Sequence, residues 1–139
     1  MQKIIKKKMK KLFVIALSAL ALTACQKSIE ERASQEASEY TRKYCPTPVY
    51  NFTRTDSLTF DPTTRTFSYH CSLTDRMDDS TIIADNAQSL REALVKEVKG
   101  STTLKLYKDA GMSFQYIIRS EKNPRQVLLQ TTIEPKDYQ

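Results

Sequence analysis

Tryptophan is missing, histidine occurs once, and 139 residues hold only two glycines. A single histidine, His70, and three cysteines leave no set of ligands at metal-binding spacing. No metal ion or other cofactor is therefore expected. So few glycines, with five prolines, leave no room for a flexible linker or a low-complexity tract. Long apolar runs are also lacking. The longest, Leu12 to Ala24, is broken only by Ser18 and Thr23 and falls short of the roughly 20 residues that cross a bilayer as a helix.

That short run has a telling lead-in. Residues 1–11 carry Lys3, Lys6, Lys7, Lys8, Lys10 and Lys11 and no acid. A basic start before a short apolar segment is the pattern of an export signal. The six lysines also account for the whole formal charge of +6. The rest of the chain balances its charges and has no basic stripe interleaved with aromatics. Nucleic-acid binding is thereby excluded.

The apolar segment ends in Leu22-Thr23-Ala24-Cys25. This stretch resembles the lipobox of bacterial lipoproteins, an aliphatic residue and two small ones before an acceptor cysteine. The resemblance implies that residues 1–24 are a signal peptide and that the thiol of Cys25 carries a diacylglyceryl group. It also implies a mature chain of residues 25–139, held on the membrane by its lipid. Two or three acyl chains, at about 0.8 kcal/mol per buried CH₂, anchor firmly where one does not.

Residues 25–139 are the size of one ordinary domain. Ser28 and Glu31 match a capping box, and Ile29, Ala33, Ala37, Tyr40 and Tyr44 then form one helical stripe that stops at Cys45-Pro46. Ser57–Phe60 and Thr66–Thr74 read as a hairpin. Phe67, Tyr69, Cys71 and Leu73 share a buried face, with Phe60 opposite Phe67 and Leu58 opposite Tyr69. A second helix is expected from a cap at Asp85-Asn86 to Gly100, with Ala87, Leu90, Leu94 and Val98 inward. Thr102–Lys108 and Met112–Ser120 read as a second hairpin around Asp109-Ala110-Gly111. Gln126–Ile133 is the last strand. The order α-β-β-α-β-β-β predicts an α+β two-layer sandwich, an antiparallel sheet with both helices on one face.

Few residues suggest chemistry. In an oxidising compartment Cys45 and Cys71 are expected to form a disulfide worth about 3 kcal/mol. His70 alternates away from Cys71, beside Ser68 and Ser72, and no catalytic dyad is expected. Asp75, Asp78 and Asp79 lie in one loop without the spacing of a calcium site. On the sheet's second face, Tyr107, Ile117 and Leu128 fall out of phase with their core-facing neighbours and are expected to form an apolar binding patch.

The layout of "KYCPTPVYN" followed by "LTFDPTTRTFSYHCSL" resembles small lipoproteins of Bacteroidetes without assigned roles. That resemblance implies a non-enzymatic binding or accessory protein of the cell envelope with a protein partner. The competing reading is a small periplasmic hydrolase or thiol enzyme using His70 or a cysteine. Gln26 follows Cys25 where an Asp implies inner-membrane retention, so the outer membrane, on its periplasmic side, is the expected location.

Overall fold

The computed structural model describes residues 26–139. The expected signal peptide and Cys25 lie outside the described residues. The chain opens with helix α1 (Ile29–Tyr44). Its capping box forms as the sequence predicts: the Ser28 hydroxyl accepts from the Glu31 N–H, and the Glu31 carboxylate accepts from the Ser28 N–H. Strands β1 (Thr53–Asp61) and β2 (Thr66–Leu73) form the expected hairpin, with Phe60 opposite Phe67 and Leu58 opposite Tyr69. After a 3₁₀ turn (Asp75–Met77) come helices α2 (Ser80–Asp85), α3 (Ala87–Gly100) and α4 (Lys105–Asp109). Strands β3 (Ser113–Ser120) and β4 (Val127–Ile133) and a last turn, α5 (Pro135–Tyr138), complete the fold.

The class is α+β, but the sheet is mixed. Its order is β1-β2-β3-β4, with the two hairpins antiparallel and β2 parallel to β3. The cause is at residues 102–110. Leu104 and Leu106 alternate with polar residues and mimic a strand, yet Leu104, Tyr107 and Ala110 also recur every third position. The helical reading wins, because it buries Tyr107 in the core. Gly111, read as a hairpin turn, instead follows the end of α4 at φ +74°, and its N–H donates to the Lys108 carbonyl at 2.9 Å. A helical connection between β2 and β3 makes them parallel.

Two smaller departures follow from local chemistry. Asp79, not Asp85, caps a helix: its carboxylate accepts from the N–H groups of Thr81 and Ile82 and starts α2. A bulge on β4 leaves Leu128 unpaired between the Ile118–Leu129 and Arg119–Val127 pairs, and Val127 is turned outward.

The core lies between the helices and one sheet face. Ala33 and Ala37 of α1, Val98 of α3 and Tyr107 of α4 pack against Leu58, Phe67, Phe114, Tyr116 and Ile133. The two alanines let α1 approach β1 closely. Thr41 ties the two together, its hydroxyl accepting from the Leu58 N–H and donating to the Leu58 carbonyl, both at 2.8 Å. That one side chain satisfies both outward backbone groups of an edge residue.

Candidate functional site

The uncovered sheet face is polar. Ser68 donates to Gln115 at 3.1 Å, and Gln115 donates to Thr132 at 3.4 Å. Thr59 lies 3.3 Å from one ring nitrogen of His70, and Arg119 lies 3.4 Å from the other. Arg54 bridges Asp56 at 2.7 Å and Glu121 at 3.0 Å, while Ser72 donates to Asp56. Ile117 and Leu128 are half-buried, Ile117 level with His70 in the parallel pairing. Tyr107 is not on this face at all. It is 4% exposed in α4, its ring edge-on to Phe67 at 4.8 Å and its hydroxyl donating to Glu36. The expected apolar patch of Tyr107, Ile117 and Leu128 therefore does not exist. Its premise, a strand over residues 102–108, is what failed.

The nucleophile candidates are poorly placed. Cys45 and Cys71 come to one corner, since Thr47 is bonded to Thr55 and Thr55 is opposite Cys71. Both are free thiols, so the expected disulfide is not formed. Burial pushes the Cys71 thiol up to about 11, despite a contact from the Thr55 hydroxyl, and burial also raises Cys45. A thiol held protonated is a weak nucleophile. Burial, and then the Arg119 cation, lowers His70 below its ordinary range. Its ring contacts are Thr59 and Arg119, with neither a serine nor a carboxylate among them. The three loop aspartates have structural partners or open positions. Asp78 accepts from the Lys122 N–H, Asp79 caps α2, and Asp75 closes the 3₁₀ turn. Among the described residues no cluster of His, Cys, Asp or Glu can hold a metal ion.

The most exposed apolar residues lie elsewhere, while Ile82 and Leu106 are exposed less. α1 begins at the end of the molecule where β2 and β3 start and β1 and β4 finish; it ends at the opposite end. There Tyr44, Val49 and Tyr50 are 61%, 50% and 79% exposed, and Val127 stands outward at the same end. Sequence reading used residues 45–52 only as a helix stop and as part of a lipoprotein-like layout. The overlooked signal was Pro, Val, Tyr and Phe crowded into a connection without glycine.

This loop is braced. Tyr50 and Thr53 exchange backbone bonds of 2.9 and 3.0 Å around Asn51 and Phe52, whose φ values are +48° and +61°. Left-handed φ at two successive central positions is the I′ pattern, which favours Asn and Gly. A phenylalanine there is an outlier. Three contacts hold it. Its carbonyl accepts from the Thr74 N–H at 2.9 Å and the Thr74 hydroxyl at 3.3 Å, and the Arg76 guanidinium sits 4.6 Å from its ring. Thr47 pairs with Thr55 on the other side. Strained backbone held this firmly clusters at ligand clamps and binding sites, which makes this solvent-facing aromatic loop the candidate surface.

Comparison with known proteins places these features in a class. Residues 9–26 match the prokaryotic membrane lipoprotein lipid attachment site, and the match includes Cys25. The protein is thus a bacterial lipoprotein of the cell envelope with an α+β domain beyond its anchor. More particularly, residues 28–129 match the family described as a domain of unknown function (DUF8479), to which the chain belongs. No curated protein matches. Three solved structures share the fold at low identity. A protein described as secreted, from Pseudomonas aeruginosa, has a TM-score of 0.64 at 14% identity, covering 82% of this chain and 100% of that one. The pilotin EpsS of the Vibrio vulnificus type 2 secretion system has a TM-score of 0.58 at 14% identity, covering 79% and 91%. The type II secretion system pilotin AspS of Vibrio cholerae has a TM-score of 0.58 at 15% identity, covering 84% and 98%.

Proposed function

We propose that this protein is a non-enzymatic accessory lipoprotein of an envelope secretion system, working as pilotins do within theirs. Cys25 is its lipid-bearing residue, and the outer membrane, on the periplasmic side, is its location. The end opposite the anchor is its working surface. Tyr44, Val49 and Tyr50 receive a protein component of the secretion machinery.

The observation that carries the reading is the placement of exposed apolar surface. It sits on the braced loop 45–52, at the end of α1 that points away from the lipid-bearing segment. Tyrosine with its ring exposed and its backbone fixed is a common anchor at interfaces, because little entropy is lost on docking. The pilotin likeness supports the same class of role, as does the lipid attachment site shared with envelope lipoproteins. A hydrolase or thiol enzyme is the poorer reading. Its residues would be a His70 beside Thr59, with the Arg119 cation rather than an orienting carboxylate at its other ring nitrogen, and two thiols held protonated.

The test is substitution at the loop. Val49→Ser with Tyr50→Ser leaves stability within about 0.5 kcal/mol, since both side chains are exposed. The same pair abolishes co-purification of the secretion component from native envelopes. Unchanged co-purification refutes the surface.

A further inference from the structure

The end of the molecule where α1 begins carries a basic pocket. It is lined by Lys99, Ser101 and Thr102 after α3, by Lys105 and Lys108 of α4, and by Tyr138. Its position follows from the fold. Tyr138 donates to the carbonyls of Lys108 and Met112, just before β3 begins. β3 begins where Ser113 donates to the Arg65 carbonyl, and Arg65 pairs with Glu30 in the first turn of α1 at 3.0 Å. Ile29 packs on the same buried cluster as Tyr107, Met112 and Tyr138. The pocket and the start of α1 thus share one end.

The tether to that end is short. Three residue steps separate Cys25 from the Ser28 cap, a reach of about 10 Å when extended. Charges at this end therefore lie near one Debye length of a lipid surface, roughly 8–10 Å in physiological salt.

The pocket's charge is only partly cancelled locally, and Gln139 also lines it. Lys105 is paired with Asp109 at 2.7 Å, the one acidic side chain in the lining. Lys108 donates to the Lys99 carbonyl at 2.8 Å and, like Lys99, has no carboxylate partner among the described residues. Between Lys105 and Lys108 stands Leu106, 42% exposed and the one large apolar side chain left outward at this end. A leucine flanked by lysines whose stems can lie along an apolar surface is the pattern of an interfacial segment.

We propose that this pocket binds the phosphate of anionic lipid headgroups, through Lys99, Lys105 and Lys108 with the Ser101 and Thr102 hydroxyls, and that Leu106 enters the interface beside it. The inference rests on the lipid-anchor reading. Its consequence is orientation: the domain stands with α4 on the membrane and loop 45–52 outward.

The experiment uses the lipidated protein reconstituted in vesicles of phosphatidylcholine alone or with about one third phosphatidylglycerol. Lysine acetylation is followed residue by residue by mass spectrometry. Lys99, Lys105 and Lys108 are expected to react about fivefold more slowly on the anionic vesicles, the factor that one lysine near such a surface carries. Lys43 and Lys122, near the far end, react equally on both, and high salt removes the difference. Equal rates for the three lysines on both vesicles overturn the proposal. So does equal slowing on both, which is shielding without charge recognition, or the same slowing by inorganic phosphate on neutral vesicles, which is a site for a free anion. If the mature protein isolated from its native envelope carries no acyl groups on Cys25, the anchor reading fails instead.

Discussion

Tyr107 and Tyr50 show how little a tyrosine's identity says and how much its surroundings do. Tyr107 lies among Phe67, Met112 and Phe114 with its hydroxyl on Glu36. Tyr107→Ala is expected to cost about 3 kcal/mol or more, as for other buried aromatics. Tyr50→Ala is expected to cost less than about 0.5 kcal/mol. Chemical denaturation of the two variants checks the contrast, and similar losses would contradict it. His70 offers a separate test through pH. Burial and Arg119 hold its folded pKa below its ordinary 6.5. As pH falls below 6.5, the unfolded chain takes up a proton that the folded one refuses, so stability declines with falling pH. It levels off once the folded imidazole also titrates. The carboxylates with lowered values, such as Glu36 and Asp137, act only below their ordinary 4.5 and 3.8. No other histidine exists to titrate between. His70→Gln should flatten the stability profile between about pH 6.5 and 5; a profile unchanged by the substitution contradicts the assignment.

At the scale of elements, α1 does two jobs for β1: it covers the core face and closes the outer edge. Thr41→Val keeps the shape and removes the hydroxyl that serves both Leu58 backbone groups. A loss of about 1–3 kcal/mol is expected on denaturation. A neutral result would mean that water replaces the hydroxyl. The turn before β1 can be probed likewise. Asn51→Gly at φ +48° relieves a left-handed position and should leave the fold as stable or slightly more so. Elements with strong periodicity were legible in the sequence: the capping box and stripe of α1, the 60/67 and 58/69 pairs of the first hairpin, and the helix ending at Gly100. Residues 102–110 were not, because a short apolar run fits both periods and only the buried place for Tyr107 decides. The loop proposed as the working surface was missed for a related reason. Nothing local announces that Phe52 takes a left-handed φ, since that conformation is imposed by Thr74 and Arg76 from another element.

For the molecule as a whole, the parallel β2–β3 pairing puts α4 and α5 at one end, with α3 over the sheet face, and leaves the loop after α1 at the other. The segment before α1 joins at the first end, so under the proposed reading anchor and aromatic loop face opposite ways. Cys25→Ser should leave an uncleaved precursor that takes up no labelled palmitate, and normal processing of that variant would refute the anchor. The polarity itself is tested most directly by a photo-crosslinking amino acid placed at Tyr50 or at Leu106 in the intact bacterial envelope. The account predicts a crosslink to a secretion-system protein from position 50 and crosslinks only to lipid from position 106. Protein crosslinks from position 106 with none from position 50 would contradict it.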